Sequence, residues 1–204
     1  MAKKKVRKPN ASYQLPDKSG LRPQTKRVLA IDPGSRNMGI SVVAVNEKGR
    51  LKVVANAIVT DPIHDLTRLG PQRDAFLAEV SNWIRVFEPN GIIIERFQTR
   101  GLLGKTIEAV SIMIGILAGH WPQIPIKAIT AATWKNEHTR RFGKGVLDEL
   151  YRVSRTTPHQ LDSTFIGVFG LEKGLRTTFE YDPRDIVRDA ELSSLVRLIN
   201  RKRS

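Results

Sequence analysis

The chain has 204 residues, enough for one compact domain with a short appendage and too few for two full-sized domains. It contains no cysteine, which excludes disulfide scaffolds, thiol nucleophiles and cysteine-held zinc or iron–sulfur centres, so any metal must rest on oxygen or imidazole. Lys and Arg number 34 against 20 Asp and Glu, a formal charge of +14 that suits a polyanion-binding protein.

The first 28 residues hold nine basic side chains against one acid, Asp17, and so carry +8 of that excess. With Pro9, Pro16, Pro23 and Gly20 and no apolar periodicity, residues 1–26 read as a basic, flexible arm. No stretch approaches the roughly 20 apolar residues of a membrane helix, and the N-terminus lacks the apolar centre of a secretory signal. A cytoplasmic location is expected, with an organelle matrix as the alternative.

Three strand-like runs follow at Arg27–Asp32, Gly39–Val45 and Leu51–Val59, the last two joined by the polar hairpin Asn46–Gly49. Asp65–Phe87 has helical spacing, with Gly70-Pro71 interrupting its first turns. Gly91–Glu95 is a short apolar strand of the doubly covered kind. An apolar helix is expected over Lys105–His120, a fifth strand over Pro125–Ile129, and one basic amphipathic helix over Arg140–Arg155. Pro158–Phe169 reads as a helix with proline in its first turn, and Pro183–Arg201 as a last helix. The pattern is α/β, with a domain over 27–171 and a C-terminal extension over 172–204.

Asp32 ends the first strand and is followed by Gly34 and Gly39, glycines that permit a tight turn and a close backbone approach beside the carboxylate. Alone, it reads as an acid capping its own turn. Glu95 ends a second apolar strand, and crossover pairing would bring both acids to one sheet edge. In His159-Gln160-Leu161-Asp162, the i, i+3 spacing puts His159 and Asp162 on one helix face. Singly, His159 reads as a helix-start residue and Asp162 as a solvated acid. Together with the two strand-end acids they form a candidate site of hard oxygen ligands and one imidazole, suited to Mg2+ or Mn2+. Clustered carboxylates in a basic body point to two-metal phosphodiester hydrolysis.

The set Ala30-Ile31-Asp32-Pro33-Gly34-Ser35 with Gly39, then Ile93-Ile94-Glu95, then His159-x-x-Asp162, resembles the RuvC group of Holliday-junction resolvases over about residues 27–170. The first motif also opens sugar-kinase and chaperone ATPases, but those need a duplicated domain that does not fit here. Thr133-Trp134-Lys135 is similar to the phage and organellar branches. The resemblance implies an RNase H-like fold: a five-stranded mixed sheet with three antiparallel strands and then two crossover strands, flanked by helices. It also implies a homodimer and Mg2+-dependent symmetric nicking of four-way DNA junctions, with Mn2+ able to substitute and two ions per site. On that reading Asp32, Glu95 and Asp162 hold the ions, and His159 is a ligand or orients the attacking water. Many members carry an acid where His159 stands, and alanine where Ser163 stands.

Phe97, two residues beyond Glu95, is a candidate for stacking on unpaired bases, or simply a core residue. Arg100, Lys105, Lys135, Arg140, Arg141 and Lys144, joined by Arg152 and Arg155, form a candidate phosphate-gripping surface, against the plainer reading of a solvated charged face. The Lys105–His120 helix is apolar around most of its circumference, which fits burial against the sheet or a dimer seam on its outer stripe. The competing functions are a nucleic-acid-binding module with little catalysis, and a nuclease acting on flaps or RNA–DNA hybrids.

Overall fold

The computed structural model describes residues 25–34, 37–60, 62–97 and 104–201, with side chains to residue 194. Strands β1 (Lys26–Asp32), β2 (Asn37–Val45) and β3 (Leu51–Thr60) form an antiparallel meander. The hairpin between β2 and β3 is organised by Asn46, whose Oδ1 accepts from the backbone N–H of Lys48 and of Arg50, while Gly49 takes φ 72°. Strands β4 (Gly91–Arg96) and β5 (Ile126–Thr130) run parallel to β1, and the sheet order is β3-β2-β1-β4-β5. This is the RNase H-like α/β arrangement.

Among the described residues six α-helices surround the sheet: α1 (Leu69–Phe87), α2 (Lys105–His120), α3 (Ala131–Phe142), α4 (Val146–Val153), α5 (Pro158–Phe169) and α6 (Pro183–Arg201). The expected first helix begins as a 3-10 turn, Leu66–Arg68, capped by the Asp65 carboxylate, and Pro71 then falls in the opening turn of α1, where its missing N–H costs nothing. The single helix expected over Arg140–Arg155 is two. Gly143 and Gly145 adopt φ 93° and 89°, which a continuing right-handed helix cannot accommodate, and they separate α3 from α4. A π-helical turn, Gly170–Gly174, extends α5.

Strand alternation sorts the core into two layers. Leu29 and Ile31 of β1 pack with Phe76, Val80 and Trp83 of α1 and with Met113 of α2. Val28 and Ala30 face the other way, among Phe165 and Ile166 of α5 and Ile186 and Val187 of α6. The C-terminal helix therefore shares the α5 layer. Asp32 continues the parity of Val28 and Ala30, and Glu95 continues that of Ile93, so both acids project toward α5. On α2, Ala109, Val110, Met113 and Leu117 are buried against the sheet, while Ile112, Ile114 and Ile116 are only partly covered.

Candidate functional site

The parallel register of β1 and β4 pairs Ile31 with Ile94, so the next residues, Asp32 and Glu95, are neighbours at the same sheet end. Helix α5 crosses that end. Its start is held by a capping box, in which the Thr157 hydroxyl accepts from the Gln160 N–H and the Gln160 side chain accepts from the Thr157 N–H, with Pro158 in the first turn. Asn56 of β3, fully buried, donates from Nδ2 to the Gln160 carbonyl and to Thr164 Oγ1. Small residues let the helix sit close. A Cβ on Gly39 would stand 1.9 Å from the His159 carbonyl oxygen, and one on Gly167 would stand 2.6 Å from Val43.

This seating brings His159 Nδ1 to 2.6 Å from Asp32 Oδ2, across 127 residues of sequence. The hydrogen bond to Asp32 raises the His159 pKa against the opposing effect of partial burial. Glu95 accepts from the indole Nε1–H of Trp134 at 2.7 Å; its pKa is raised, chiefly by burial, with the Asp32 charge adding to the shift and Trp134 opposing it. Asp162 accepts from the Tyr151 hydroxyl at Oδ1, and its Oδ2 lies 3.6 Å from Lys135 Nζ. Burial pushes the Asp162 pKa up to about 7, with Lys135 opposing and the charges of Asp32 and Glu95 adding.

Asp32, Glu95, His159 and Asp162 thus occupy one neighbourhood and feel one another's charge. Each acid is nevertheless tied to a partner of its own, and among the described residues no three His, Asp or Glu side chains are grouped to hold an ion as they stand. The donor set suits a divalent cation. Three carboxylates and an imidazole are the hard ligands such ions prefer, and burial, with a smaller contribution from neighbouring acidic charge, raises the pKa of Glu95 and Asp162, a penalty on ionisation that a bound cation would relieve.

Two side chains here escaped the sequence-level site: Trp134 as donor to Glu95, and Tyr151 as donor to Asp162. Each had a faint signal, since a tryptophan or tyrosine on the inner stripe of a polar helix carries an N–H or O–H that needs a partner.

The basic residues divide by environment. Lys105 and Lys144 are exposed. Arg140 pairs with Glu137 on its own helix at 2.6 Å. Arg141 is drawn inward: it pairs with Glu172, donates to the Phe179 carbonyl and lies 4.6 Å from the Tyr181 ring centre. Lys135 is half-exposed, between Asp162 and the Trp134 ring. Phe97 is 37% exposed and not part of the core, while Arg100 lies outside the described residues. No described helix is long and apolar enough to cross a membrane.

Comparison with known proteins finds no matching family model and no matching curated relative. Solved structures do match. Thermus thermophilus RuvC in complex with a Holliday junction substrate aligns over 73% of this chain and 94% of its own, with 18% identity and a TM-score of 0.57. Thermus thermophilus RuvC by itself aligns over 72% and 96%, with 20% identity and a TM-score of 0.54. The yeast mitochondrial Holliday junction resolvase Ydc2 covers 86% of this chain and 81% of its own at 14% identity and a TM-score of 0.48. At these identities the likeness is one of fold: the chain has the RNase H-like architecture that RuvC has.

Proposed function

We propose that this chain is a divalent-metal-dependent, structure-specific DNA endonuclease that resolves four-way junctions by paired phosphodiester hydrolysis. The observation that carries the reading is the convergence of Asp32, Glu95, His159 and Asp162, from three separate elements, at one end of a RuvC-like sheet. The fold likeness to a protein captured on a Holliday junction supports the substrate class.

On this reading Asp32, Glu95 and Asp162 hold Mg2+ or Mn2+, two ions per site, with His159 beside them. Divalent cations there would supply polarisation of the phosphate and stabilisation of the leaving oxygen. Asp32 holds the His159 ring by its Nδ1, which leaves Nε2, on the Gly34 side, to orient or deprotonate water. Trp134 fixes the Glu95 carboxylate and keeps one of its oxygens directed. The exposed Lys105, Lys144 and Arg140, with Lys135 beside Asp162, draw phosphate toward an acidic pocket, and Phe97 offers a ring to unstacked bases. Two copies joined along the partly covered stripe of α2 would meet the two like strands of a junction.

A substrate panel tests this: four-way junction, flap and RNA–DNA hybrid, each with Mg2+. Paired nicks in the junction, lost in Asp32→Asn with binding retained, are expected. Equal cutting by Asp32→Asn would overturn the assignment, and preference for a flap or hybrid would redirect it. The second reading, a binding module, is favoured by the private partner each acid already has. Truncating residues 1–24 separates the two readings: a binding module loses its salt-dependent affinity, whereas a resolvase keeps junction cleavage through its core.

A further inference from the structure

We infer that Tyr151 is a latch on Asp162: a positioning residue whose hydroxyl competes with divalent cation for that carboxylate and sets how tightly the site takes metal. The inference rests on the proposed metal site and concerns what governs its occupancy.

Asp162 has a partner at each oxygen, Tyr151 at Oδ1 and Lys135 at Oδ2. As they stand, the acids are held apart on their own donors and not gathered around one point. For Asp162 to serve an ion, one of those partners must yield. The two differ in how they are mounted. Lys135 rides on α3, the helix that also buries Trp134 and His138 completely or nearly so.

Tyr151 rides on α4, eight residues long, with Leu150 as its one buried side chain. Gly143 and Gly145 precede α4, both at positive φ and both with open space where a Cβ would be. This is the geometry of a hinge: a short helix follows two glycines with open space around them, its one buried side chain, Leu150, joined in the core by partly covered Val146, Leu147 and Tyr151. The same segment exposes Lys144, Arg152 and Arg155, so a phosphate backbone drawn to it acts on the element that carries the latch. Rotation of α4 about the glycines would withdraw the phenol and free Oδ1, at the cost of that hydrogen bond and of part of the packing of Val146, Leu147 and Tyr151 on the core.

The test is Mn2+ binding to the full chain, followed by electron paramagnetic resonance of the free ion, for wild type, Tyr151→Phe and Asp32→Asn. Phenylalanine keeps the ring and removes only the hydroxyl. Loss of one hydrogen bond to a carboxylate corresponds to about ten- to a hundredfold in affinity, so Tyr151→Phe should bind Mn2+ tighter by that factor. Equal or weaker binding by Tyr151→Phe, with wild type binding normally, overturns the latch and leaves the metal site standing. No Asp32-dependent binding in wild type overturns both. Hydrogen exchange of wild type decides independently of any variant's folding: amides of 146–153 should exchange faster when Mn2+ saturates the site, and unchanged or slower exchange there overturns the latch.

Discussion

Gly39 of β2 lies directly under the first turn of α5, so close to His159 that a Cβ would stand 1.9 Å from its carbonyl oxygen and 2.5 Å from its carbonyl carbon. Both are backbone atoms of a capped helix start, which cannot swing aside as a flexible side chain could. The distance between sheet and helix at this point is therefore set by the absence of one methyl group, and the Asp32–His159 hydrogen bond depends on it.

Gly39→Ala should accordingly lift the start of α5, lengthen the Asp32–His159 contact and destabilise the fold by about 1–3 kcal/mol. Urea unfolding checks the stability, and junction cleavage should fall with it. Gly70→Ala is the control: nothing lies within 4 Å of its Cβ position, and the site is the first turn of α1, so stability should change by under about 1 kcal/mol. Equal effects of the two substitutions would refute the close-approach argument.

Trp134→Phe removes the indole hydrogen bond to Glu95 while keeping an aromatic in a fully buried slot. A partly buried carboxylate loses its donor, so stability should drop by about 1–3 kcal/mol and the Glu95 pKa should rise further, since Trp134 is the chief influence opposing burial. Carboxyl-carbon NMR titration reads the shift directly. A Glu95 pKa unchanged by the substitution would show that the indole contributes nothing to that carboxylate.

Asp162→Asn should show a pH-dependent gain in stability with metal chelated. The Asp162 pKa in the fold is about 7 against 3.8 for the free side chain, so on raising pH the unfolded chain loses its proton first. Wild-type stability therefore falls through the window between those values and stays reduced above it. Asparagine does not titrate. The two proteins should unfold at similar temperatures at pH 4, and by pH 8 the variant should be the more stable by on the order of 2 kcal/mol. A pH-independent difference in melting temperature would contradict a raised Asp162 pKa.

Much of this arrangement is legible in the residues themselves, and the exceptions have physical reasons. The apolar runs around Leu29, Val42, Val53 and Ile93 mark the strands, because a strand covered on both faces needs little else, and Asn46–Gly49 marks its own turn. Asp32 and Glu95 stand out as charges ending such runs, and His159 with Asp162 by their helical spacing. Helix α3 does not stand out: it buries only Trp134 and His138, a stripe too narrow to give periodicity, so its second half merged in sequence with α4. The positive φ of Gly143 and Gly145 that separates them is a property of the backbone path, not of composition. The partner of Tyr151 is hidden for another reason, although the tyrosine hydroxyl signals that it needs one. A tyrosine on an amphipathic helix signals packing, and its partner lies across a break and on a different helix.

His138 offers the last test, away from the acids. It is buried within α3, with Nε2 donating to the Phe165 carbonyl of α5 and Nδ1 accepting from the Tyr181 hydroxyl, so it is the neutral tautomer that ties three segments together. Burial lowers its pKa below the free value of 6.5. As pH falls below 6.5 the unfolded chain takes up a proton that the fold refuses, and wild-type stability is lost over that range. His138→Phe keeps a ring among Trp134, Phe142, Phe165 and Tyr181 but neither bonds nor titrates. It should be less stable than wild type at pH 8 by about 1–3 kcal/mol, the loss of two hydrogen bonds, and the gap should narrow steadily toward pH 5. Chemical unfolding at several pH values reads it. A gap constant with pH would mean that His138 is charged in the fold, or that its imidazole binds neither partner.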